Sequence, residues 1–337
     1  MIQPDDPQWM RYLSGNDCAT IFHHPAWSQL LSVCYGYRPF ILAWAGPGGE
    51  ISAGIPFMEI TGLVSGRKWV SLPFSDYCSP LFENQAALTN LVENLGYIST
   101  TEKVSTVELR AEYTGTPSLH VYSDHVLHEA ELCPDVEMVF GRLHEMHRRN
   151  IKIAQANDVQ IIHGGTQEHI EEFYKLHLRT RREQGVPIQP WRFFKEMKTL
   201  FDQDLGFILL ALKNGRPLAG AVFLHWQKTL TYKYGASCQE GLKFRPNNLL
   251  MWTAMEWGCM NEYTCFDLGR TSLSNQGLRT FKSRWGAREF PLWYASLKPR
   301  SGERRLERFM DLSHIVIQKS PLWVCRFTGE VLYKFFG

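Results

Sequence analysis

The sequence lacks the features that mark several large classes of protein. The chain has 36 Lys and Arg residues and 34 Asp and Glu residues, which gives a net charge of +2. A dedicated DNA-binding protein is strongly basic, so this class of protein is excluded. No uncharged apolar run approaches the roughly 18 residues of a membrane-spanning helix. The first residues form neither a basic region nor an apolar segment, so we expect no secretory signal and a cytoplasmic location.

Neither the cysteines nor any common catalytic motif indicates a metal site, a disulfide framework or an enzyme class. The eight cysteines never form a Cys-x-x-Cys pair, which favours buried, reduced thiols over zinc ligands or a disulfide framework. No Gly-x-Ser-x-Gly, Walker A or dinucleotide-binding motif occurs, and the histidines offer no complete ligand set, so we expect no bound metal. Aromatic residues, by contrast, make up 13% of the chain and must fill cores, line a pocket or lie at a membrane surface.

The chain carries an internal repeat. Residues 40–57 and 207–223 both show an apolar strand, a tight turn and a second strand with Ala-Gly at the same place, which predicts an antiparallel hairpin in each half. The glycine predicts a bulge or a close approach to the backbone. Each hairpin is followed by a third strand, a helix and a fourth strand, predicted at 68–82, 85–95 and 105–109 and again at 229–237, 247–260 and 265–268.

A period of about 165 residues is too long for a solenoid and fits two copies of one domain in tandem. We predict a first domain at 1–135 and a second, with the main motifs, at 136–300. A helix is expected at 136–156, at the start of the second domain. We predict that residues 301–337 form a basic, aromatic helical segment, which Pro321 divides into two.

Six segments of the second half carry a resemblance to a known family. They are His147–Lys152, Leu176–Gly185, Tyr232–Ser237, Pro246–Trp252, Phe266–Thr271 and Gly277–Ala287. In this order they resemble the FemAB-like proteins with a double GNAT fold, especially the branch associated with exosortase and exopolysaccharide loci. The resemblance covers about residues 20–300. It implies an α/β fold of the α+β type, in which each domain is a mixed, mostly antiparallel sheet flanked by helices.

The same resemblance implies an acyltransferase. Family members transfer an acyl or aminoacyl group from an activated donor, aminoacyl-tRNA or an acyl-CoA or other acyl thioester, to an amine. The acceptor is usually a cell-envelope precursor such as that of peptidoglycan, and for this branch an exopolysaccharide precursor. Ser28-Gln29-Leu30-Leu31 stands where cross-bridge enzymes tend to have a lysine, which argues against a UDP-linked or lipid-linked peptide acceptor.

The family's Phe-Lys motif corresponds to Phe281-Lys282. Acyl transfer to an amine passes through a tetrahedral oxyanion, and a fixed positive charge beside that oxygen accelerates the reaction. We therefore expect Lys282 and Phe281 to be catalytic, the alternative being an exposed lysine with a buried stem. Asp267 is a second catalytic candidate, as a base or as a group that orients a cation, and a structural pair with Arg270 is the alternative.

Several further residues are candidates for substrate binding. Arg181 and Arg182 end a predicted helix, where they bind a phosphate or carboxylate or else remain solvated charges at the helix C-terminus. Tyr232 and Tyr234 are expected on one face of their strand with Lys233 on the other, so that they line the acyl channel or stack in the core. The remaining candidates are Arg148, Asn150, Asn247, Asn248 and Arg270.

The loop at 241–248 lacks the Gly-x-Gly/Ala ending that cradles pyrophosphate in CoA-dependent GNAT enzymes. This favours aminoacyl-tRNA or an acyl-carrier thioester as the co-substrate, with Lys243 and Arg245 placed to meet phosphates, and no permanently bound cofactor. The C-terminal segment either packs on the protein or docks on an anionic membrane face. Two other functions stay open: a non-catalytic scaffold of the envelope-polysaccharide machinery, and a small-molecule aminoacyltransferase of a biosynthetic pathway.

Overall fold

The computed structural model describes residues 1–62, 66–111, 119–297 and 317–333. They form two compact units: unit 1 comprises Met1–Val126 and residues 291–297, and unit 2 comprises Leu127–Phe290 and residues 317–333. The division departs from the predicted boundaries, because it falls after Val126 and because the end of the last strand belongs to unit 1. Among the described residues, none of the helices has the length and hydropathy needed to span a bilayer.

Unit 1 is built on a mixed sheet. Its elements are α1 (Pro7–Ser14), α2 (Pro25–Tyr35), β1 (Arg38–Ala45), β2 (Ile51–Gly62), β3 (Gly66–Val70), β4 (Leu81–Phe82), α3 (Gln85–Thr101) and β5 (Thr106–Leu109). Strands β1, β2 and β3 are antiparallel, and β5 returns parallel to β3 after the crossover in α3. The buried rings of Phe40, Phe57 and Trp69 fill the core beneath α3. The last strand of the chain, β12 (Arg288–Ser296), pairs antiparallel with β5.

Unit 2 repeats this order with additional elements. They are β6 (His120–Glu131, of which residues 127–131 belong to the unit), α4 (Val136–Arg142), α5 (Glu145–Ala156), β7 (Gln160–Gly164), α6 (Gln167–Glu183), α7 (Trp191–Glu196), α8 (Lys198–Asp202), β8 (Gly206–Lys213), β9 (Arg216–Trp226), β10 (Thr229–Ser237), α9 (Pro246–Met260), β11 (Cys265–Ser272), α10 (Gln276–Ser283) and α11 (Leu322–Leu332). The strands β7 to β10 are antiparallel, and β11 returns parallel to β10 after α9. A mixed, mostly antiparallel sheet flanked by helices is thus confirmed.

The two hairpins share the feature that the Ala-Gly pair predicted. A Cβ on Gly54 of β2 would lie 2.6 Å from the ring of Trp9 in α1. A Cβ on Gly220 of β9 would lie 2.8 Å from Leu210 and 3.1 Å from the ring of Phe173 in α6. In both units the glycine therefore lets an aromatic ring from a flanking helix pack directly on the sheet.

Two predicted elements need correction. The single helix expected at 136–156 is two helices, α4 and α5, because Leu143 is extended and the His144 side chain accepts the N–H of Met146 as the N-cap of α5. The third strand expected at 68–82 is β3 followed by a loop and the short β4. In the C-terminal segment, residues 301–316 and 334–337 lie outside the described residues, and α11 begins after Pro321 as predicted.

We expect Gly54→Ala to lower the free energy of unfolding by about 1–3 kcal/mol, because the methyl group would displace a fully buried indole. Gly96, in the middle of α3, has no neighbour within 4 Å of the Cβ position. Gly96→Ala is the matched control, expected to raise stability by about 0.5–1 kcal/mol. Urea unfolding of the two variants measures both changes. A Gly54→Ala protein as stable as the wild type would contradict the packing described here.

Candidate functional site

The site lies where two strands of unit 2 separate. Strand β10 is in parallel register with β11 over Thr229–Thr231, opposite Cys265–Asp267. Beyond Thr231, β10 continues along β9, and the first turn of α9 lies beside it. A cavity of about 220 Å³ lies beside this part of β10. Its wall includes Tyr232 and Gly235 from β10, Asn247 and Met251 from α9, and Phe281 from α10.

The two tyrosines of β10 lie on opposite faces, so the prediction that they share a face is wrong. Tyr232 pairs with Phe223 and Tyr234 with Val222, which are consecutive residues of β9, and Lys233 is the extra residue of a β-bulge. Tyr232 therefore faces the cavity, while the ring of Tyr234 packs near Phe193 and Phe194 on the other side of the sheet.

Tyr232 is a hydrogen-bond donor in this environment. Burial raises the pKa of Tyr232 to about 12, so the phenol stays protonated at neutral pH. Its hydroxyl lies above Gly235, where a Cβ would collide with it. The cavity wall thus combines a neutral phenol with a glycine that makes room for it.

Lys282, the residue after the cavity-lining Phe281, is buried. Phe281 is 37% exposed and lines the cavity, whereas the next residue, Lys282, is 5% exposed. The Lys282 ammonium donates hydrogen bonds to the carbonyl oxygens of Gly269 and Arg270, at 2.9 and 3.0 Å. The lysine therefore does not have the exposed position of an ordinary surface residue. Its ammonium lies beside Gly269 and Arg270, just past the residues of β11 that pair with β10.

Asp267 and Gly269 shape the backbone that receives Lys282. Asp267 is fully buried, and its Oδ1 accepts the N–H of Gly269 at 2.7 Å. Gly269 has φ +72°, a conformation that favours glycine. The Arg270 side chain is exposed, and its carbonyl rather than its guanidinium contacts Lys282. Asp267 therefore fixes the turn in β11 that presents two carbonyls to the lysine.

A histidine and an ion pair lie beside Lys282. His128 is fully buried, and its Nε2 lies 3.1 Å from Oε1 of Glu289, which also binds Arg279 at 2.7 Å. Burial lowers the pKa of His128, and the positive charge of Lys282 lowers it further. The hydrogen bond from Arg279 keeps the pKa of Glu289 below its usual range. Because His128 is neutral, Lys282 carries the buried positive charge in this cluster of side chains.

Another buried histidine joins three elements around the cavity. Asn248 of α9 donates its side-chain amide to Nδ1 of His147 at 2.7 Å, and Nε2 of His147 lies 3.4 Å from the carbonyl oxygen of Phe281. The imidazole stacks on Trp285 with ring centroids 4.2 Å apart, and burial lowers the pKa of His147. A neutral imidazole accepting at Nδ1 and donating at Nε2 satisfies both contacts.

Sequence reasoning did not single out His147, and it assigned Asn248 to substrate binding. A signal was available, since His147 falls on the same stripe of α5 as the buried Ile151 and Ala154. A polar residue on a buried stripe requires a partner. Asn247, one residue before Asn248, is the asparagine that lines the cavity.

Other predicted residues lie away from the cavity. The Arg181 Nε donates to the carbonyl of Pro187, and the Arg182 Nε donates to the carbonyl of Ser320, so both hold neighbouring segments rather than reaching into the cavity. Near the C-terminal end of α6, it is Thr180 and Gln184 that line the cavity.

On α5, Arg148 donates to the carbonyl of Gly141, and the half-buried Asn150 lies two residues further on. Lys243 and Arg245 are exposed, in the segment between β10 and α9. The Lys243 ammonium lies 5.0 Å from the centroid of the Phe244 ring.

Comparison with known proteins finds a family model that matches part of the chain. The model of the acetyltransferase (GNAT) domain matches residues 142–283. The UDP-N-acetylmuramoylpentapeptide-lysine N(6)-alanyltransferase of Weissella viridescens is 21% identical over 193 residues, which are 57% of this chain and 55% of that enzyme. The chain thus spans about half the length of this curated relative.

Solved structures show the same fold over nearly the whole chain. The crystal structure of FemX superposes with a TM-score of 0.71 at 13% identity and covers 92% of this chain and 98% of its own. A tandem GNAT protein from the clavulanic acid biosynthesis pathway gives a TM-score of 0.52 at 10% identity, covering 89% and 98%. The predicted tandem of GNAT-like folds is confirmed by these matches.

We expect Asn248→Ala to lower the free energy of unfolding by about 1–3 kcal/mol, because Nδ1 of the buried His147 would lose its donor. Asn247→Ala is the matched control, since the neighbouring side chain faces the cavity. Surface substitutions of this kind usually change stability by less than about 0.5 kcal/mol. Thermal and urea unfolding of both variants tests the difference, and equal losses would show that the amide–imidazole contact does not stabilise the fold.

Proposed function

We propose that the chain is a FemAB-like protein of the GNAT acyltransferase class, and that it transfers an aminoacyl or acyl group to an amine of a cell-envelope or exopolysaccharide precursor. The observation that supports the proposal most directly is the pairing of a cavity with a buried cation. The cavity lies beside the part of β10 that extends beyond its pairing with β11, and Phe281 lines it. The next residue, Lys282, is buried against the Gly269 carbonyl of β11.

The reaction requires an activated carbonyl, an amine and stabilisation of the charge that develops on oxygen. The amine nitrogen bonds to the carbonyl carbon, and the tetrahedral intermediate then releases the donor's alkoxide or thiolate, which takes up a proton as the amine loses one. In our proposal the charge of the Lys282 ammonium stabilises the oxyanion electrostatically, and Tyr232 donates a hydrogen bond to it from the cavity wall. Asp267 is then a positioning residue, because it acts through the backbone turn at Gly269.

The donor we propose is aminoacyl-tRNA or an acyl thioester, used as a co-substrate with no permanently bound cofactor. Lys243 and Arg245 then contact its phosphates from the segment that leads into α9. The acceptor amine would enter from the exposed side of Phe281. We also propose a cytoplasmic location, where both kinds of donor are made.

We expect Lys282→Ala to reduce the transfer rate by roughly 10²–10³-fold, a loss of the size caused by removing one group that stabilises an oxyanion. The substrates are a panel of aminoacyl-tRNAs and acyl-CoAs, with nucleotide-linked muramoyl pentapeptide and amine-bearing sugar nucleotides as acceptors. Mass spectrometry measures the acyl group added to the acceptor.

Lys195→Ala removes an exposed lysine of α7 and is the charge-matched control, expected to keep the wild-type rate. Near-normal transfer by the Lys282→Ala enzyme would reject the catalytic role. A wild-type protein that binds acceptors yet transfers nothing from any donor would favour the scaffold function instead.

The C-terminal helix supports a second part of the proposal, contact with an anionic membrane. Cys325 of α11 is buried and Gly329 lies directly on the backbone of Ile188, whereas Trp323 and Phe327 are 66% and 62% exposed on the opposite side. The exposed Lys319 and the exposed Arg326 lie near these rings in the chain. Aromatic rings beside cations are the combination that interfacial helices present to anionic lipid headgroups.

We expect the double variant Trp323→Ser/Phe327→Ser to lose co-sedimentation with vesicles that contain phosphatidylglycerol. Tyr97→Ser/Met138→Ser is the control, because these residues are also exposed, at 72% and 50%, but lie on other helices. Vesicles of phosphatidylcholine alone measure the contribution of charge. If wild type and Trp323→Ser/Phe327→Ser sediment equally, the helix is not a membrane contact.

A further inference from the structure

A buried histidine that the proposed reaction does not use lies beside Lys282. His128 of β6 is 0% exposed. Its Nε2 lies 3.1 Å from Oε1 of Glu289 in β12, and its Nδ1 lies 3.4 Å from the hydroxyl oxygen of Thr271 in β11. The carboxylate of Glu289 is ionised and can only accept, so the ring carries its proton on Nε2 and accepts the Thr271 hydroxyl at Nδ1. Both nitrogens of the neutral imidazole are thus satisfied.

Glu289 connects this histidine to the helix that carries Lys282. Its Oε1 also accepts the Nε of Arg279 at 3.0 Å, and its Oε2 accepts Nη2 of the same arginine at 2.7 Å. Arg279 lies three residues before Lys282, so the two side chains are neighbours on the surface of α10. The contact between His128 and Glu289 therefore helps to fix α10 one turn before Lys282.

The two side chains compete for one backbone oxygen when both are charged. The Lys282 ammonium donates to the Gly269 carbonyl at 2.9 Å, and the same carbonyl lies within hydrogen-bonding reach of the His128 ring. A second proton on Nδ1 requires an acceptor, because an imidazolium has two donors and no acceptor. Protonation also places a second buried cation beside the first, which costs free energy. A charged His128 therefore weakens the hold of the backbone on Lys282.

The charged groups that face this histidine, among the residues that the structure describes, are Lys282 and Arg279 from α10 and Glu289 from β12. Burial lowers the pKa of His128, and the charge of Lys282 lowers it further. Hydrogen bonds to Glu289 and to the Gly269 backbone act in the opposite direction, but the net pKa of the imidazole lies below its ordinary value of about 6.5. The ring is therefore neutral at physiological pH and takes up its second proton only in acid.

We propose that His128 is a positioning residue for Lys282, which keeps the lysine at the β11 carbonyls while the imidazole is neutral and releases it when the imidazole is protonated. The transfer reaction is then inhibited in acid, because the charge that stabilises the oxyanion leaves its fixed position. This consequence rests on the proposed function. The coupling between His128 and Lys282 does not, since it follows from the backbone oxygen and the ion pair that they share.

A titration by NMR tests the coupling without any transfer reaction. The whole chain carries isotope-labelled histidine, and the signal that is absent from His128→Gln identifies His128. In Lys282→Met, which removes the charge and keeps an unbranched side chain, we expect the pKa of His128 to rise towards the ordinary value for histidine. Lys195→Met removes a charge from an exposed position on α7 and should leave the pKa of His128 as it is in the wild type.

The pH dependence of the transfer rate tests the catalytic consequence. His128→Gln keeps a donor to Glu289 but cannot be protonated, so we expect a kcat within about twofold of the wild type at about pH 8 and a smaller loss of rate below about pH 6.5. His128→Leu removes the donor, and we expect kcat to fall by about 10-fold at every pH with little change in KM. His120→Gln, at the exposed start of the same strand, is the matched control and should show the wild-type profile. Unfolding curves verify that each variant is folded.

Two results would overturn the proposal: a pKa of His128 that is the same in Lys282→Met as in the wild type, and a loss of rate in acid that is as large in His128→Gln as in the wild type. Neither result decides the proposed function, which the transfer assay tests separately. Conversely, a wild-type protein that transfers nothing, but in which Lys282→Met raises the pKa of His128, would retain the coupling and lose the proposed reaction.

Discussion

The end of pairing between β10 and β11 is the constraint on which the candidate site depends. Backbone carbonyls that lose a neighbouring strand still require donors when they are buried. In a regular strand, successive carbonyls point in opposite directions, but the positive φ of Gly269 interrupts that alternation. The carbonyls of Gly269 and Arg270 both accept from one ammonium, that of Lys282. The position of this charge follows from the backbone.

The surroundings of Lys282 preserve that charge. The charges of Arg279 and Glu289, which form an ion pair next to His128, cancel each other. The lowered pKa of His128 leaves its imidazole neutral at physiological pH. The chain therefore avoids a second buried cation beside the first. On the other side, His147 and Asn248 hold the backbone of Phe281, so the aromatic residue and the lysine after it are fixed from two directions. The arrangement has the preorganisation that stabilisation of a developing charge requires.

Most of the elements of unit 2 could be predicted from the sequence, because hydrophobic periodicity and turn residues are local signals. Strand β10 and helix α9 have almost the predicted bounds. The Phe281-Lys282 pair was found through resemblance alone, since a lysine on a short polar helix carries no local sign of burial. The sequence prediction put Tyr234 on the wrong face of the sheet. The alternation of residues within β10 gives no sign of the bulge, because the bulge arises from the pairing with β9.

The partners of Arg181 and Arg182 illustrate the same limit at longer range. Both arginines lie in the last turn of α6, and from the sequence alone they are reasonable ligands for an anion. The Ser320 carbonyl that receives Arg182 lies 138 residues away in the chain. His147 is likewise buried by Asn248 and Phe281, at separations of 101 and 134 residues. Contacts of this kind are determined by packing between elements.

The two copies have diverged at the place where a site can form. In unit 1, β3 and β5 also pair in parallel over three residues, Lys68–Val70 opposite Thr106–Glu108. The chain after Val70 then turns back on itself: the N–H of Ser71 donates to the carbonyl of Glu108, and Arg110 donates to the carbonyl of Ser75. Loop residues thus satisfy the separated backbone in unit 1, whereas a lysine from a later helix does so in unit 2. The same topological opening is filled by the chain itself in unit 1 and borders a cavity in unit 2, which is why we propose the chemistry in unit 2.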